Sequence, residues 1–101
     1  MEALDFEDLV DKRLKSCKRV LTTKASVYES SKDRLHNFKD GAFLTGQTPA
    51  QYALSLMTKH QIAIRDKINA NEELSSGFIA EKFGDVINYM LLLEALVAEK
   101  K

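Results

Sequence analysis

Residues 77–99, GFIAEKFGDVINYMLLLEALVAE, decide the fold class. Phe78, Ile79, Phe83, Val86, Ile87, Met90, Leu93 and Val97 return at steps of mostly three and four residues, the spacing of side chains along an α-helix. The run Met90-Leu91-Leu92-Leu93 wraps that helix too far round for all four side chains to face one core of a small bundle. Burying a leucine is worth about 1.5 to 3 kcal/mol, so a second apolar face is expected to be covered by another copy of the chain.

Working back along the chain, NANEELSS at 69–76 is a connection. Thr48, Pro49 and Gln51 before it are a helix start: a hydroxyl cap, a proline where its missing donor costs nothing, and a capping-box partner. The third helix is expected from there to Asn69, with Tyr52, Leu56 and Ala63 on one row and Ala53, Met57, Ile64 and Ile68 on another, as suits a central helix. A shorter helix is expected from Asp33 to Phe43, ending near Gly46. A long amphipathic one is expected from Asp5 to Tyr28, with Phe6, Leu9, Val10, Leu14, Cys17, Val20, Leu21 and Ala25 along its stripe. The glycines and the lone proline fall at helix boundaries on this reading, except Gly84, taken as a point of close packing or ligand approach. The expectation is an all-α, compact bundle of about four helices in one domain, 1–101, with an oligomerising C-terminal helix.

Composition narrows the function classes. Fifteen basic and fifteen acidic residues leave a formal net charge of zero, so no overall field draws in nucleic acid or an anionic membrane. One cysteine makes no internal disulfide, and one cysteine with two histidines is a poor zinc set. Cys17 on the stripe of the first helix is expected to be an inert core thiol. The acidic stretch MEALDFEDLVDKR has no basic-then-apolar pattern, and Glu94 interrupts the longest apolar run. Neither secretion nor membrane spanning is expected, and a cytoplasmic location is.

Three segments concentrate polar chemistry. DRLHNFK, 33–39, sets Arg34, His36, Asn37 and Lys39 around Leu35 and Phe38, donors suited to anionic or heteroaromatic ligands. KHQIAIRD, 59–66, brings Lys59 and His60 onto the helix expected to be central, where polar groups need partners. EKFGDVINY, 81–89, places Glu81 and Asp85 one α-helical turn apart, a pair able to hold Mg²⁺ with ligand phosphates, followed by Asn88 and Tyr89. Each also has a plain structural reading, as solvated helix faces, a satisfied core histidine, or acids favouring a helix N-terminus. Glycine-rich phosphate loops, nucleophile elbows, HExxH and CxxC are absent from the sequence.

The segments DRLHNFK, TPAQYAL, KHQIAIRD and EKFGDVINYMLLLEAL together resemble a family of small phage and prophage proteins with the pattern DRxHNF, TPxxAL, a KH helix with a following Asp, and EKxGDxINYxxLLEAL. More remotely, these are similar to the nucleotide-modification-associated and MazG-like all-α nucleotide pyrophosphohydrolases, whose late helix bears an E-x-x-D pair. The resemblance implies Glu81 and Asp85 as the matching acids, one residue further apart than in the pattern. The EExxE-type cluster that completes the Mg²⁺ cage in those enzymes is missing from the central helices, and Glu7, Asp8 and Asp11 have that spacing only on the first helix.

The resulting expectation is an oligomeric phage-type binding protein, acting in the cytoplasm of an infected bacterial cell, that sequesters a nucleotide or nucleotide-derived immune signal. Arg34 and Lys59 would take phosphate, His36, Asn37, His60 and Asn88 polar edges, and Tyr28 or Tyr89 a base. No cofactor is required, Mg²⁺ being the one the acidic pair would hold. The alternatives are a Mg²⁺-dependent nucleotide pyrophosphohydrolase and a module that captures a host protein.

Overall fold

A computed structural model describes residues 1–27 and 33–100, with side chains described for 1–22 and 33–99. Among these residues the chain is helical with no strands: α1 spans Ala3–Val27, α2 His36–Thr45 and α3 Pro49–Asn69. A last helix is built from α4 (Ser76–Phe78), a π-helical turn (Ile79–Phe83) and α5 (Gly84–Lys100) running on without a break. No helix of the described residues is long and apolar enough to cross a membrane.

The helix ends follow from local chemistry. Thr48 Oγ1 accepts from Gln51 N–H at 3.1 Å, while Thr48 N–H donates to Gln51 Oε1 at 2.9 Å, so the capping box is closed in both directions ahead of Pro49. Ser75 caps α4 by accepting from Phe78 N–H at 3.1 Å. Gly46 ends α2 in the left-handed region, φ 69°, which lets Gln47 N–H reach back to the Ala42 carbonyl at 2.9 Å. The second helix begins at His36 rather than at the expected Asp33. Asp33 is occupied in a turn, its Oδ1 accepting from Leu35 N–H at 3.0 Å and its carbonyl from His36 N–H at 3.2 Å.

α3 is central, packing on α2 and on α5 and the π turn, while α1 packs on α5. Leu35, Phe38, Ala53 and Leu96 form the core, with Tyr52, Leu56, Tyr89, Leu92 and Leu93 half-buried around it. Ala53, only 1 % exposed, supplies the small surface against which the two flanking helices close. Cys17 is buried where α1 meets the last helix, its Sγ 3.9 Å from the Gly84 carbonyl, and burial pushes its thiol above the ordinary range. That is the inert core thiol expected, and Gly84 is a packing position against it.

Two expectations need correcting. The stripe of α1 is core only near Cys17: Phe6, Leu9 and Leu14 are exposed, because among the described residues α1 packs mainly on the last helix. Gly41 marks no boundary but lies inside α2, for a reason that belongs to the cleft described below. At the far end of the bundle Lys39 Nζ donates to Asp33 Oδ2 at 2.6 Å and also pairs with Glu99, tying the start of α2 to the end of α5.

Two outcomes are expected. Thr48→Ala removes the α3 cap and should cost about 1 kcal/mol in urea denaturation, with an unchanged m-value. The Lys39 ammonium, followed by the Leu35 N–H, holds the Asp33 carboxyl below its ordinary 3.8. The associated stability is therefore full above that value and lost as pH falls through the lower folded one. Asp33→Asn should be less stable than the parent near neutrality, and the gap should narrow as the pH is taken below the ordinary carboxylate range, when the two are compared by acid titration of the melting temperature.

Candidate functional site

A cleft of about 230 Å³ opens where α1, α2, α3 and α5 meet. Helical spacing explains which side chains reach it. On α5, Asp85, Asn88, Tyr89 and Leu92 stand at positions i, i+3, i+4 and i+7, one continuous face. Arg34, in the turn that leads into α2, reaches it together with Asn37 and Phe38 of the first turn of α2, and Tyr52 and Leu56 stand one turn apart on α3. Val20 and Leu21 of α1 complete the walls. The lining is therefore apolar and aromatic with a cation, a carboxylate and two amides set into it, the composition of a small-molecule site.

The ring of Tyr89 is positioned on two sides. Phe38 meets it edge to face at 6.4 Å between centroids, and His60 lies tilted against it at 5.5 Å. His60 Nδ1 is 3.7 Å from Asp85 Oδ2, too long for a hydrogen bond, and is itself buried without a hydrogen-bond partner. Asn88 is only 6 % exposed, and its Oδ1 has no donor. A buried polar atom left unpaired costs about 1 to 3 kcal/mol, so the α5 wall holds polar capacity that the protein alone does not use.

Of the residues singled out in the sequence, Arg34, Asn37, Asp85, Asn88 and Tyr89 meet in this cleft, with His60 directly behind Asp85 and Tyr89. Tyr28 lies outside the described residues. Lys59 is exposed on α3 and His36 donates from Nδ1 to the Asp33 carbonyl at 3.0 Å, and neither lines the cleft. Glu81 is also outside it: its side chain is 66 % exposed and lies 3.5 Å from Lys82 Nζ. Glu81 thus stands on the solvent side of the π turn, whereas Asp85, in the first turn of α5, lines the cleft. Among the described residues no three of His, Cys, Asp and Glu come together as a metal ion would need, and of the acidic pair only Asp85 lines the cleft.

Tyr52 is the wall residue that the pattern of polar segments missed. Its ring lies against Gly41, so close that a Cβ at that position would stand 2.3 Å from Cε2 and Cζ. A bare backbone inside α2 is what admits the ring; the signal in the sequence was a glycine inside a helix, facing an aromatic on the next one. No protein-family model, curated protein or solved structure matches the chain.

Gly41→Ala should therefore displace Tyr52 and cost about 1 to 3 kcal/mol, a fall in melting temperature of several degrees. Tyr52→Ala in the same chain removes the obstacle, and in that background the glycine substitution should be neutral or stabilising, as a double-mutant cycle followed by thermal unfolding would read.

Proposed function

We propose that this chain is a phage-type binding protein that sequesters a nucleotide or nucleotide-derived signalling ligand, working as an oligomer in the cytoplasm of an infected cell. The observation that carries the reading is that Arg34, Asn37, Asp85 and Asn88 line one cleft together with the aromatic rings of Tyr52 and Tyr89. A guanidinium fork suits phosphate oxygens, flat rings suit a base, and side-chain amides read polar edges.

Size bears on the stoichiometry. At about 230 Å³ the cleft falls below the roughly 300 to 1,000 Å³ of usual small-molecule sites, so one chain encloses a single ring-bearing group of the ligand. A second copy would cover the rest. The outer face of α5 supports that assembly: Met90, Leu91 and Val97 are exposed beside Val86 and Ile87. Binding is favoured over pyrophosphohydrolysis because Asp85 reaches the cleft without Glu81, which leaves the acidic pair divided.

Purified protein mixed with cyclic dinucleotides, ADP-ribose derivatives and mononucleotides should deplete at least one of them from solution and return it unaltered on heating. Chelation of Mg²⁺ should leave this unchanged, and Arg34→Gln should weaken uptake about tenfold or more if the guanidinium carries the phosphate. Depletion of none of these compounds, or release of pyrophosphate in place of the intact ligand, would sink the reading.

A further inference from the structure

The cleft has a surplus of acceptors on one helix. Asp85 has no hydrogen bond among the described residues beyond its 3.7 Å approach to His60, although its side chain is three-quarters buried at 24 % exposure. One turn further on, Asn88 Oδ1 is buried and without a donor. Both residues line the cleft from the same face of α5, beside the ring of Tyr89. Arg34 and Asn37 bring donors, but they come from the turn before α2 and its first residues, a separate part of the wall.

A ligand that fits must bring N–H groups to α5 and must be flat enough to lie along Tyr89. Resting on the nucleotide reading above, the geometry points to a base that carries an exocyclic amino group as the group bound against Asp85 and Asn88. Adenine, cytosine and guanine offer such an amine. Hypoxanthine puts a carbonyl oxygen in the place of adenine's amine, uracil in that of cytosine's and xanthine in that of guanine's, and an oxygen facing the Asp85 carboxylate meets repulsion as well as losing a bond. Discrimination arises because the site's acceptors stay unpaired with the wrong base, the situation in which a polar site rejects an analogue most strongly. The amide of Asn88 can turn about its last torsion, so either its oxygen takes the amine or its nitrogen serves a ring nitrogen beside it. Asp85 supplies the charge-assisted bond in both cases.

The test compares pairs that differ in this group: AMP with IMP, GMP with XMP, and CMP with UMP, each titrated calorimetrically into the full chain. The amino member should bind about tenfold or more tightly in at least one pair, and Asp85→Asn should shrink that ratio several-fold. Asn88→Leu separates a binding role from a structural one. Removing an unpaired buried amide should raise the melting temperature, while a lower amino-to-oxo ratio appears only if Asn88 touches the base. Ratios below tenfold in every pair, or a ratio unmoved by both substitutions, overturn the inference while leaving nucleotide binding in place. No heat of binding from any of these nucleotides overturns both.

Discussion

Phe38 is the point at which the bundle and its cleft become one structure. Its ring is buried with Leu35, Ala53 and Leu96, and it also forms part of the cleft wall and fixes Tyr89 edge to face. Because interiors are close-packed, a ring shared in this way makes the shape of the cleft depend on how α2 and α5 close on α3. The Asp33 turn, the Gly46 cap and the Lys39 bridge to Glu99 all act on the same joint, since they set where α2 begins, where it ends and how it is tied to α5. The cleft is a continuation of the core with polar residues substituted along one side.

What could be read from the sequence was whatever is decided locally. The Thr48 to Gln51 cap, the helical periods and the burial of Leu35 and Phe38 each depend on residues within a turn or two of one another, and the structure has them where the pattern placed them. What could not be read depends on contacts between helices. Gly41 looks like a breaker until Tyr52 is laid on it from α3. His36 looks like a ligand group until the Asp33 carbonyl accepts from it. Glu81 and Asp85 look paired because four residues make about one helical turn, yet only Asp85 reaches the cleft while Glu81 stays in solvent beside Lys82. The stripe of α1 promised a covered face without saying what covers it.

That last point bears on the economy of so small a chain. The described core is built from few large side chains, and Phe6, Leu9, Leu14, Phe43, Met90, Leu91 and Val97 remain in contact with solvent in the single chain. Chains of this size bury a modest fraction of their surface on their own, and association is the common way to bury more. In the reading proposed here, assembly and ligand capture would reinforce each other, since the helix that lines the cleft on one face carries bare apolar residues on another.

The π turn at 79–83 also sets a phase. Upstream of it the last helix is capped by Ser75; just downstream, Gly84 lies against Cys17 of α1 and Asp85 begins the cleft face. Each α-helical residue advances the side-chain direction by about 100°, so the wide turn works as a gearing step between the two ends of the helix. Gain or loss of one residue within 79–83 would turn the two ends relative to each other without breaking the helix. Sequences built on this plan could then re-aim their acidic residues, towards solvent or towards the cleft, by a change of length at a place where no binding residue stands.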